Sequence, residues 1–169
     1  MELPGTAYLY TMAILAMTFI GFSAIVMLLR QTLGRRLRVI DALIAHSYME
    51  FGLILTIGAM LPPLLMFWDL SPAMVWRLSG GIVGLCLLVF GVTYPARRRA
   101  ASHEPTPMYV RLNVGFVLLV SLTLLVTATG VLHERSGAAY LSALSGFMVF
   151  AIGSWLRVLN LILAQKARS

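Results

Sequence analysis

The sequence predicts an all-α fold: a polytopic integral membrane helical bundle with five transmembrane helices, the N-terminus outside and the C-terminus cytoplasmic. Three observations predict it. Hydrophobic residues make up 60% of the 169 residues and charged residues only 11%, whereas a soluble domain carries about 45–50% apolar and about 25% charged residues. Five apolar stretches reach the roughly 20 residues that a helix needs to cross hydrocarbon. The basic residues between them fall almost entirely on one side. Transmembrane β-strands alternate over about ten residues. Runs such as Leu53 to Phe67 do not alternate, so helices remain the way to satisfy the backbone in lipid. Residues 1–169 form a single transmembrane domain, because no connecting stretch is long enough to bury a core of its own.

The first helix covers about 7–29 and is plainly apolar. The second, about 40–68, is the unusual one. It is long enough to cross a bilayer, yet it carries His46 and Glu50 near one end and Pro62 and Pro63 near the other. A carboxylate on a membrane helix is costly unless it is paired, neutralised or wetted. A proline pair removes two backbone donors and forces a bend or a stop. The third helix covers about 74–94 and is expected to end at Pro95, since a proline disfavours helix in the residue before it. The fourth covers about 109–132 and the fifth about 138–164. Asp69 with Pro72, and Glu134 with Arg135, mark two tight outer turns. The longest connection, 95–107, holds Pro95, Pro105 and Pro107. It reads as a solvated linker, with His103 in water.

Orientation follows from Lys and Arg, which favour the cytoplasmic side in short loops. Arg30, Arg35, Arg36, Arg38, Arg97, Arg98, Arg99, Arg111, Arg157, Lys166 and Arg168 lie on one side, against Arg77 and Arg135 on the other. That arrangement, with an odd number of spans, puts the N-terminus outside and the C-terminus in the cytoplasm, and a bacterial inner (plasma) membrane is the expected location. It also explains the net charge of +7 without nucleic acid. Arg35, Arg36, Arg38, Arg97, Arg98 and Arg99 are expected to touch anionic inner-leaflet lipid. Tyr8, Tyr10, Phe67, Trp68, Trp76 and Tyr140 are expected at the outer interface, and Tyr48, Tyr94 and Tyr109 at the inner one, because Tyr and Trp prefer headgroup depth. The first 29 residues hold no Lys or Arg, so no secretory signal is expected, and neither end carries a lipidation motif. Cys86 is alone, which excludes a disulfide or thiolate metal site within one chain.

Two groups of residues suggest contacts beyond simple burial. Gly80, Gly84 and Gly91 share a face of the third helix, and Gly146 and Gly153 one of the fifth. Small residues let helices approach closely where lipid supplies no apolar drive to associate. Such a seam packs either within the subunit or against another copy. The second group is polar. Asp41, His46, Glu50, Arg111, Asn113, Arg157 and Asn160 all fall in the cytoplasmic third. His46 and Glu50, four apart, share a helix face, and the depth of Arg157 allows it to snorkel or to meet Glu50. Thr11, Thr18, Thr123 and Thr127 form no continuous polar stripe, and hydroxyls of this kind commonly bond their own helix.

No hydrolase, metalloprotease, nucleotide-binding or haem motif occurs, so the sequence predicts no enzyme, no metal and no cofactor. The leading expectation is a homo-oligomeric ion channel or pore, with His46, Glu50, Arg111, Asn113, Arg157 and Asn160 forming a polar vestibule. In a ring oligomer Glu50 would recur at the inner mouth and favour cations. The alternative is a non-enzymatic accessory or scaffold subunit bound to other membrane subunits. A transporter taking an anionic or polar group, such as a lipid head, is the third reading.

Overall fold

Each apolar stretch folds as a helix. In a computed structural model, α1 spans Thr6–Thr32, α2 Val39–Met66, α3 Pro72–Ala101, α4 Met108–Thr129 and α5 Ser136–Lys166. The structure describes residues 5–32, 39–102, 105–132 and 135–166. All five helices are long and apolar enough to cross a membrane. Their outer faces carry exposed Ile14, Phe22, Leu53, Ile57, Leu85, Leu119 and Val149, a surface suited to hydrocarbon.

The prolines of α2 act close to the expected place. The helix continues through Pro62 and Pro63 and ends one turn later, at Met66. Pro62 has no N–H for the carbonyl four residues back, that of Gly58. The Tyr140 hydroxyl donates to that carbonyl instead, at 2.6 Å. Asp69 then takes a positive φ of 52°. Ser71 caps α3 by accepting from the Met74 N–H at 3.4 Å, with Pro72 at the first helical position, where a missing donor costs nothing.

The expected end of α3 at Pro95 is wrong: the helix runs on to Ala101. An interior proline clashes with the carbonyl four residues back. Here that residue is Gly91, which has no side chain to crowd the bend. The Thr93 hydroxyl donates to the carbonyls of Val89 and Phe90 at 2.7 and 3.3 Å, reinforcing the turn before the ring. The Ser102 N–H closes the end on the Arg98 carbonyl at 3.0 Å. α4, in contrast, stops earlier than expected, because Gly130 takes a left-handed φ of 79°. Arg77 donates to the freed carbonyls of Ala128 and Thr129 at 3.2 and 3.3 Å.

The closest pairs are α3 with α4 and α1 with α2, while α5 lies across the other four. Glycine makes the first pair possible. A Cβ on Gly80 would collide with Thr127 Oγ1 and sit 2.8 Å from the Leu124 carbonyl. One on Gly84 would lie 3.1 Å from the Leu125 nitrogen, and one on Gly91 2.7 Å from Leu118. The glycine face of α3 is thus filled by α4 of the same chain. Gly146 and Gly153 meet nothing within 4 Å. Ser121 crosses the α3–α4 seam to the Gly84 carbonyl at 2.7 Å. Thr11, Thr18, Thr123, Thr127 and Thr129 bond their own helices. Tyr8 joins Ser145 across α1 and α5 at 2.6 Å.

The aromatic residues divide differently from the expectation. Tyr8, Tyr10, Phe67 and Trp68 are exposed, but Tyr48, Trp76 and Tyr140 are buried in the core. Tyr140 is 0% exposed, with the Trp76 ring 5.4 Å away. The Pro62 gap is what draws it in, since the Gly58 carbonyl inside the bundle has need of a donor.

Gly80→Val should destabilise the fold by about 1–3 kcal/mol through overpacking, whereas Gly146→Val should be neutral; unfolding in micelles with each variant checks the contrast. Tyr140→Phe should cost about 1 kcal/mol by leaving the Gly58 carbonyl without a donor, read in the same assay.

Candidate functional site

The continuation of α3 past Pro95 decides the chemistry at the basic end of the bundle, the end that carries Arg97, Arg98, Arg99, Arg111 and Arg157. Successive helical residues turn by about 100°, so the three consecutive arginines point three ways. Arg99 is exposed. Arg97 reaches α2, where its Nη1 donates to both oxygens of Glu50 at 2.8 and 2.9 Å. Its guanidinium also lies 5.8 Å from the centre of the Phe90 ring. Arg98 turns into the bundle and is only 6% exposed.

Arg98 faces a cavity of about 300 Å³ between α2, α3, α4 and α5. Two layers can be distinguished along the helices. Arg98, Tyr109 and Arg157 line the end nearer the helix termini, with Asn113 and Ser154 on the wall. Phe51, Phe90, Val117 and Phe150 line the deeper part. At about 1.5 Å rise per residue, Phe90 lies roughly 12 Å along α3 from Arg98, and Phe150 roughly 10 Å along α5 from Arg157. The deep rings support one another: Phe51 and Phe90 are 4.6 Å apart, Phe51 and Phe147 5.2 Å, Phe116 and Phe150 4.3 Å. The result is a cationic mouth over an aromatic floor. Gly153 lines the cavity and has open space where a Cβ would stand, so α5 leaves the volume unfilled.

Electrostatics at this end are one-sided. Arg98 and Arg157 line the cavity, and among the described residues no carboxylate does. Among the described side chains the carboxylates are Glu50 and Asp69; the first is held by Arg97 and the second sits at the other end. Arg157 rests over the Tyr109 ring at 5.0 Å, which orients the guanidinium without neutralising it. The Arg98 Nε has no hydrogen-bond partner.

Of the residues expected to form a polar vestibule, Asn113 and Arg157 meet at the cavity. His46 and Glu50 belong to a separate cluster, with His46 Nδ1 3.3 Å from Glu50. Glu50 therefore does not meet Arg157: Arg97, brought within reach by the extra helical turns of α3, takes its place. Arg111 and Asn160 are exposed and do not line the cavity. The Asp41 side chain, Arg35, Arg36, Arg38 and His103 lie outside the described residues. Of the arginines expected on lipid, Arg97 is paired and Arg98 buried, leaving Arg99 exposed. Sequence reasoning missed Arg98, Tyr94, Phe90 and Phe51. The spacing of Phe90, Tyr94 and Arg98, each four apart, is the signal that a continuous helix face runs through Pro95.

The class defined so far is an all-α bundle with five helices able to cross a membrane and, at one end, an open cavity whose described charged lining is cationic. No known family pattern, curated protein or solved structure matches the chain.

Glu50→Gln and Arg97→Gln should each destabilise the fold, with a coupling of about 0.5–1 kcal/mol in a double-mutant cycle. The same cycle between Glu50 and Arg157 should give none; equal couplings would contradict the pairing.

Proposed function

We propose that this protein is a non-enzymatic membrane protein that binds an amphipathic molecule at its basic end, as a carrier or as the accessory subunit of a larger membrane complex. The observation that carries the reading is the cavity itself, polar at its mouth and aromatic at its floor. Pockets for small molecules are mostly apolar with a few placed polar groups, and span roughly 300–1,000 Å³. This one matches in composition and lies at the small end of that range. No activated nucleophile lines it, which fits binding rather than covalent chemistry.

In the same proposal the bundle sits in a bacterial inner (plasma) membrane, with the N-terminus outside and the basic end toward the cytoplasm. Arg97, Arg98, Arg99, Arg111 and Arg157 at that end, against Arg77 and Arg135 at the other, support the orientation. The homo-oligomeric pore draws no support from Glu50, whose carboxylate is paired within its own chain. Nor does it draw support from Gly80, Gly84 and Gly91, which α4 covers. Gly146, which does not line the cavity, stays open to contact with another copy or subunit.

The test is saturable binding of a fluorescent acyl-chain probe to the full chain in nanodiscs. Gly153→Leu and Val117→Trp, which fill the cavity, should each weaken binding at least about tenfold, the effect of losing about 1.4 kcal/mol, while Gly146→Leu should leave it unchanged. Probe binding that ignores all three substitutions would refute the pocket. Native mass spectrometry of the same sample addresses the pore: a closed oligomer of three or more copies with ion flux would favour it over the carrier.

A further inference from the structure

We infer that the molecule held at the basic end carries an oxyanion, a phosphate or a carboxylate, on one apolar chain, and that Arg98 with Arg157 holds the oxyanion. The inference rests on the cavity being an amphiphile site, and it names the chemistry of the head. Arg98 is buried, lines the cavity, and leaves its Nε without a partner. A guanidinium cannot lose its charge to relieve that position. The Arg98 side chain shares a hydrogen bond with the Tyr94 hydroxyl, a neutral partner. Burying a cation without a counter-charge is costly, and the planar guanidinium fork matches the two oxygens of a carboxylate or phosphate. The chain offers no described carboxylate at the cavity to complete the pair: Glu50 is committed to Arg97, and Asp69 belongs to the opposite turn. Arg157 supplies a second cation at the mouth, and the Asn113 side chain an amide on the wall. An external oxyanion completes this set.

The apolar chain follows from the floor. Phe51, Phe90 and Phe150 lie roughly 10–12 Å along the helices from the two arginines, a span that suits the first part of a chain and not a free ion. At about 300 Å³ the cavity takes a head and the start of one chain, with the rest of the molecule outside it.

Native mass spectrometry of the full chain in neutral micelles would compare oleate, oleoyl lysophosphatidate, oleyl alcohol and inorganic phosphate. The two anionic amphiphiles should bind at least about tenfold more tightly than oleyl alcohol, as expected of one charge-assisted hydrogen bond. Arg98→Gln should abolish that preference, and Arg157→Gln should reduce it. Arg98→Gln should be no less stable to heat than the native chain, since it removes a buried charge that has no described counter-charge. Arg98→Lys, which keeps charge but loses the fork, should retain part of the preference and serves if the Gln variant does not fold. Equal binding of oleate and oleyl alcohol, or a preference that survives Arg98→Gln, overturns the assignment of the head and leaves the amphiphile pocket standing. Inorganic phosphate binding as tightly as lysophosphatidate overturns the tethered chain and assigns a soluble oxyanion. If none of the three amphiphiles binds, the pocket falls with it.

Discussion

Inside a bundle of helices long and apolar enough to cross a membrane, a buried polar atom finds its partner in protein. Much of the arrangement here follows from that constraint. Pro62 withholds a donor from the Gly58 carbonyl, and Tyr140 supplies one from α5, which fixes where α5 crosses α2. Ser121 spends its hydroxyl on the Gly84 carbonyl, which fixes the height of α4 against α3. Glu50 takes Arg97, which holds the basic ends of α2 and α3 together. Each bond joins residues at least 37 positions apart in sequence. They set register, whereas the apolar contacts around them set closeness.

Against this background Arg98 stands out. Among the described residues, only its Nε and the Ser79 hydroxyl are buried side-chain atoms without a partner. A serine hydroxyl left unpaired is a modest cost, while an unpaired nitrogen on a buried cation is a larger one. That difference is why the inference concerns Arg98. Glu50 is neutralised by Arg97, while Arg98 and Arg157 line the cavity with no described carboxylate beside them.

The two faces of α3 show how the cavity coexists with a tight bundle. Gly80, Gly84 and Gly91 bring its backbone against α4, where close contact replaces the hydrophobic drive that lipid removes. Phe90, Tyr94 and Arg98, on the face toward the cavity, are large. On the far wall α5 presents Gly153 and Ser154, too small to meet them. A gap results at one end of a helix that is closely packed along another face, and its size depends on α5 remaining small there.

Composition and hydropathy alone determined the class of fold, since 20-residue apolar stretches have one economical solution in lipid. Five helices, their order and their approximate limits were legible residue by residue. So were the glycine seam on α3 and the tendency of Thr11, Thr18 and Thr123 to bond their own backbone, because both depend on local spacing. Partners were not legible. The sequence showed Glu50 as a carboxylate in need of a cation but could not choose between Arg97 and Arg157, as that choice depends on whether α3 survives Pro95. Gly91 and the Thr93 hydroxyl let it survive, and the two added turns carry Arg97 to Glu50 and Arg98 into the interior. Tyr48, Trp76 and Tyr140 looked like interface residues by type, yet the three-dimensional need of one freed carbonyl and the space between helices buried them. The cavity at the basic end is thus a product of tertiary structure: Arg98 comes from a segment that reads as a loop, and the volume from Gly153 and Ser154 on α5 facing the large residues of α3.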